Sequence, residues 1–131
     1  MSTITSAAML RPVDQAHLDE RFRWDAVVEA GMVCVTVKEY PLPAGLTPAD
    51  NELLVRLPPG FPDVGPDMFW FAQPVNRTDG TEIPAVQVNE IHLGRSWQRW
   101  SRHIGPLWRP GADDLRSYMA YIATCIDRAA K

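Results

Sequence analysis

The chain has 131 residues, 46% of them hydrophobic and 22% charged, with 12 Pro, 8 Gly and 2 Cys. One compact domain of that size builds a core without metal or disulfide staples, and the composition excludes disordered, collagenous and disulfide-scaffold classes. A formal charge of −3 excludes a polyanion binder by bulk charge while leaving a local basic patch open.

No run approaches the roughly 18 apolar residues of a membrane span. The start, Met1-Ser2-Thr3-Ile4-Thr5-Ser6, lacks the basic and long apolar parts of a signal peptide, so the expected compartment is the cytoplasm. Residues 1–12 carry no periodicity and are expected to be a flexible arm, with residues 13–131 forming a single domain. Asp14 is placed to cap a short helix from Gln15 to Phe22, on which Leu18 and Phe22 share a face.

From Asp25 to Tyr40 the β-branched content rises, which predicts two strands meeting near Gly31. Pro41 to Asp50 is a connection, and Leu53-Leu54-Val55-Arg56-Leu57 reads as a strand. The following Pro58 to Pro66 cannot be helix, because proline lacks the amide donor and restrains its predecessor. Met68-Phe69-Trp70-Phe71-Ala72 is an apolar run of strand length, Asp79-Gly80 is a turn, and Ala85 to Ile91 is a short extended piece. After Pro110-Gly111, residues Leu115, Tyr118, Met119, Ile122, Cys125 and Ile126 fall on one helical face. The layout is α+β: a short helix, about four strands and a closing helix. Cys34 and Cys125 occupy apolar positions in regular elements and read as buried thiols.

The chemistry-bearing residues cluster late in the chain. Trp97, Trp100 and Trp108 accompany Arg95, Arg99, Arg102 and Arg109. The indoles are expected to pack over the terminal helix, and the four arginines, with no acidic residue among them, are expected to form a docking surface for an acidic partner or for a nucleic-acid strand stacked on the indoles. There is no Gly-rich phosphate loop, and His17, His92 and His103 lack metal-ligand spacing, so no cofactor and no metal are expected. Asp113 and Asp114 suit a helix cap as well as a catalytic role.

The strand followed by Leu57-Pro58-Pro59-Gly60-Phe61-Pro62-Asp63-Val64-Gly65-Pro66 and an aromatic strand resembles the proline-rich segment of ubiquitin-conjugating enzymes. Trp108-Arg109-Pro110-Gly111 ahead of an amphipathic helix is similar to that family's Trp-Ser-Pro motif. Trp97-Gln98-Arg99-Trp100-Ser101-Arg102-His103 most resembles the bacterial branch called prokaryotic family E. The resemblance implies a ubiquitin-conjugating-like fold: a four-stranded antiparallel meander with a short N-terminal helix and a C-terminal helix packed on the sheet. It also implies three protein partners, namely a ubiquitin-like protein, an activating enzyme and a target protein. The operon setting of that branch adds an expected role in phage defence.

Two departures shape the expected chemistry. The family's His-Pro-Asn motif is missing, and no cysteine falls between Ile91 and Trp108. Acyl transfer needs a nucleophile, oxyanion donors and a proton route, and a hydroxyl needs a base in contact. Ser101 lies nearest the expected nucleophile position relative to Trp108, His103 two residues on is the candidate base, and Asn89 or Arg99 the candidate oxyanion donor. Ser96 is the reserve nucleophile, and His92 lies with Asn89 where the missing motif would be. Docking is expected at Phe61 and Pro62 or at Arg99 and Arg102. Two rivals stand beside the serine acyltransferase: a catalytically inactive adaptor of the same fold, favoured by the absent cysteine, and a single-strand nucleic-acid binder, disfavoured by net charge.

Overall fold

The computed structural model describes residues 10–131, so the first nine residues of the expected arm lie outside the described residues. Helix α1 spans Pro12–Arg21, with proline in its first turn, where the missing amide costs nothing. The arm's expected end is therefore already helical at Pro12, and Asp14 is not the cap. Arg11 holds that position, and Asp14, buried in the first turn, accepts from Arg11 Nε at 2.8 Å and from the backbone N–H of Leu115 at 3.1 Å.

Strands β1 (Arg23–Glu29) and β2 (Met32–Pro41) form a hairpin. Its two turn residues, Ala30 and Gly31, have φ of 53° and 78°, the left-handed pair that a two-residue loop needs to match strand twist. The connection after β2 contains the short strand β3 (Leu46–Thr47), which pairs with β6 (Asn76–Arg77) in a small second sheet. Strand β4 (Asp50–Leu57) pairs antiparallel with β2, and β5 (Phe69–Phe71) lies on its other side. The chain then forms a second hairpin, β7 (Asn89–His92) and β8 (Arg95–Trp100), around left-handed Leu93 and Gly94.

The main sheet is antiparallel with six strands in the order β1-β2-β4-β5-β8-β7. The α+β fold is as expected; the strand count is not, because β7 and β8 extend the four-stranded meander. Their period-2 pattern is hidden in sequence, since Trp97 and Gln98, on opposite faces, are both buried. Helix α2 (Leu115–Ala129) closes the fold and begins with a capping box between Asp114 and Ser117.

Both helices cover one face of the sheet. Leu18, Leu115, Tyr118, Ile122 and Ile126 pack there with Val35, Leu53, Val55, Phe69, Phe71 and Trp100. The opposite face carries a second apolar cluster of Cys34, Leu54, Trp70 and Trp97, roofed by long charged side chains rather than a helix. Glu52 accepts from Lys38 at 2.6 Å and pairs with Arg95 at 2.9 Å, and the Arg95 guanidinium lies 4.4 Å from the Trp97 ring centre. Trp97 thus sits on the face away from the terminal helix, where the indoles were expected together; Trp100 and Trp108 are on the helix side. No helix among the described residues is long and apolar enough to cross a membrane.

Candidate functional site

Ser101 directly follows β8. Its N–H donates to the Ala85 carbonyl at 3.1 Å, and its hydroxyl oxygen accepts from Arg99 Nε at 3.1 Å. Arg99 Nη1 donates to Glu90 Oε2 at 2.9 Å, while Glu90 Oε1 accepts from Trp70 Nε1 at 2.9 Å and stands 3.1 Å from His92 Nε2. Strand register explains the grouping: Trp70 lies opposite Arg99 and Glu90 opposite Trp97, on the face away from the helices. Burial acts to raise the Glu90 pKa, but hydrogen bonds from His92, Trp70 and Arg99 outweigh it and hold the carboxyl below its ordinary value. The Ser101 hydroxyl therefore ends a hydrogen-bonded chain anchored on an ionised carboxylate.

His103 is not part of that chain. Its Nδ1 lies 2.6 Å from Asp67 Oδ1, with both side chains more than half exposed, and it shares no hydrogen bond with Ser101 among the described residues. The Arg102 N–H donates back to the Trp100 carbonyl at 2.9 Å, a tight turn centred on Ser101 that ends the strand geometry. The alternation that would have put Ser101 and His103 on one face stops there.

Asn89 opens β7 and is exposed. It lines a cavity of about 520 Å³ with Asn76, Arg77, Thr81, Glu82 and Gln98, a wall that includes neither Ser101 nor His103. No thiol is in that wall, and its Thr81 hydroxyl donates to Asp79 Oδ1 at 2.6 Å. Ser96 is exposed on β8 opposite Ile91 near the hairpin end, on the other face of the sheet from His92, which pairs with Arg95. Cys34 and Cys125 are buried and unpaired, and burial pushes the Cys34 thiol pKa up.

The four arginines do not form one free basic patch. Arg95 pairs with Glu52, Arg99 with Glu90, and Arg109 approaches Asp113 at 3.7 Å. Arg102 lies with its guanidinium 5.0 Å from the Trp100 ring centre and is lowered in pKa by burial. The carboxylates all lie outside residues 95–109: Glu52 comes from β4, Glu90 from the hairpin partner β7, and Asp113 from the turn that follows. Asp114 is the helix cap, and Asp113 accepts from the Arg109 N–H at 2.7 Å, closing the turn before it.

Phe61 and Pro62 position rather than protrude. The Trp108 indole donates to the Pro62 carbonyl at 2.9 Å, and its ring lies 5.9 Å from that of Phe61; the Phe61-Pro62 peptide is cis. Gly65 is required beneath, because a Cβ there would come within 2.6 Å of the Trp108 ring. The projecting apolar groups are Val64, 53% exposed, and Leu107, 72% exposed, the latter in a 3-10 turn, Gly105–Leu107. Between the proline loop and that turn runs a groove of about 580 Å³, lined by Asp63, Val64, Asp67, His103, Ile104 and Trp108 among others.

Glu90, Asp67, Val64 and Leu107 were missed by sequence reasoning. Glu90 had a signal, since it stands one alternation before His92 in an extended piece. Asp67 had none, because its partner is 36 positions away. Among the described residues no group of three or more His, Cys, Asp or Glu side chains stands together to hold a metal.

Neither a curated protein nor a solved structure matches this chain. The family model for prokaryotic E2 family E matches residues 10–129, which takes in both hairpins, the proline loop, the Ser101 chain and α2. With an antiparallel sheet between an N-terminal and a C-terminal helix, the chain belongs to prokaryotic E2 family E.

Proposed function

We propose that this ubiquitin-conjugating-like protein acts as a binding member of its conjugation system, docking the activating enzyme in the groove between Val64 and Leu107 and holding no acyl group itself. The family implies dealings with ubiquitin-like proteins and activating enzymes in general. The observation that carries the binding reading is the separation of Ser101 from His103: a hydroxyl at neutral pH is almost wholly protonated and needs a base in contact, and here its neighbour is a guanidinium donor. Two buried thiols offer no substitute nucleophile.

One observation favours transfer through Ser101. Arg99 Nε already points at the hydroxyl oxygen, where a cation would stabilise an alkoxide. In that reading the Ser101 oxygen attacks the partner's C-terminal acyl carbon, an ester forms, the bond to the activating enzyme's thiol breaks, and the hydroxyl proton leaves with the thiolate. His103 would have to leave Asp67 to assist.

Intact mass after incubation with the activating enzyme, the ubiquitin-like protein and ATP separates the two. The binding reading expects unmodified protein that still co-elutes with the activating enzyme. An adduct stable to reducing agent and lost in Ser101→Ala would overturn it in favour of the ester, and one lost only in Ser96→Ala would move the ester to that residue.

A further inference from the structure

On the helix side, away from both the groove and the Ser101 chain, α1 and α2 enclose a cleft of about 540 Å³ whose wall includes His17, Arg21, Phe22, Tyr40, Arg116 and Met119. His17 and Arg21 are one turn apart on α1, and Arg116 lies in the first turn of α2. His17 Nε2 is buried and has no hydrogen-bond partner, so the ring keeps its place beside the cleft at a cost in free energy. Neither arginine has an ion-pair partner among the described residues. Burial, then the charges of Arg21 and Arg116, depress the His17 pKa, so both guanidiniums are within electrostatic reach of the ring. The carboxylates also in reach are Asp114, which is committed to Ser117 at the helix cap, and Glu20 on the exposed side of α1.

The rest of the cleft wall is largely apolar. Phe22 stacks on Tyr40 with ring centres 5.9 Å apart and an angle of 24°, and Met119, Ala120 and Ala123 complete the wall from α2. Two forked guanidiniums in the wall, both acting on the His17 ring, suit an oxyanion, which they bind with geometric specificity. The volume falls within the range of small-molecule sites, roughly 300–1,000 Å³.

The geometry points to a binding site for a small organic anion: an oxyanion head held by Arg21 and Arg116 beside the His17 ring, with a planar apolar body against Phe22, Tyr40 and Met119. This site is independent of partner docking and of any acyl transfer. Phosphate and carboxylate heads share the chemistry, so phenyl phosphate and benzoate are the probes, with benzyl alcohol as the uncharged body and inorganic phosphate as the bare head.

The test is an NMR titration of the full ¹⁵N-labelled chain, following the His17 ring and the arginine Nε–H signals. One or both aromatic anions should saturate with a dissociation constant below about 1 mM, and the tighter one identifies the head group. Arg21→Gln and Arg116→Gln, both at exposed positions, should each weaken that binding by about tenfold or more. The site is overturned if neither anion saturates, if benzyl alcohol binds equally well, or if both arginine variants bind like wild type. Inorganic phosphate matching phenyl phosphate would overturn the apolar half of the assignment.

Discussion

Glu90 is the residue on which the open face of the sheet depends, since it receives Trp70, Arg99 and His92 at once. Its pKa is held below its ordinary value of 4.5, so the folded state binds its proton more weakly than the unfolded chain. The stability this contributes is therefore present above the ordinary carboxylate value and is lost as pH falls through the depressed one. Glu90→Gln should lower stability at pH 7 and flatten the acid limb of the unfolding curve below about pH 4.5, which denaturant titrations across pH will measure. An acid limb identical to wild type would show that another carboxylate governs it. The same residue explains why charge reversal at Arg99 is a poor docking probe: it would place two carboxylates together beneath Trp70, and lost binding would report a damaged sheet.

At the scale of elements, the start of α2 is held by two aspartates from opposite ends of the chain. Asp114 accepts from the Ser117 N–H, and Asp14, about a hundred positions earlier, accepts from the Leu115 N–H. Each satisfies a first-turn donor that has no intrahelical partner. Asp114→Ala should cost about 1 kcal/mol, whereas Asp14→Ala, which strands a buried N–H and releases Arg11, should cost roughly 1–3 kcal/mol. Urea unfolding of both variants checks the order, and a loss at Asp14 no larger than that at Asp114 would mean that the tie from α1 to α2 adds nothing beyond an ordinary cap. The cap at Asp114 was legible because it acts locally; the role of Asp14 was not, because its acceptor function is set by a residue far along the chain. The same division runs through the site. The hairpin at Gly31, the strand at Leu53 to Leu57 and the face of α2 followed from periodicity and turn chemistry. The pairings of Arg95 with Glu52 and Arg99 with Glu90 depend on strand neighbours, and the tight turn at Ser101 broke the alternation on which a Ser101–His103 contact had been built.

At the scale of the whole molecule, one sheet separates three chemically different regions. Helices and an apolar core occupy one face, a network of charged and indole side chains roofs the other, and the proline loop with the 3-10 turn forms a groove at the margin. Trp108 joins that groove to the core, hydrogen-bonded to Pro62 and edge-on to Tyr118 at 6.3 Å. The groove thus rests on rigid packing, while Val64 in its wall and Leu107, which ends the adjoining 3-10 turn, are exposed to solvent, the combination expected of an apolar anchor in a polar surround. The most direct measurement of the docking claim is the affinity of the activating enzyme for wild type, Val64→Asp and Leu107→Asp. Both variants change exposed side chains, so stability should move by no more than about 0.5 kcal/mol. The binding account predicts a dissociation constant raised about tenfold or more in each variant, equivalent to about 1.4 kcal/mol. Affinities equal to wild type in both folded variants would contradict it and place the partner elsewhere on the molecule.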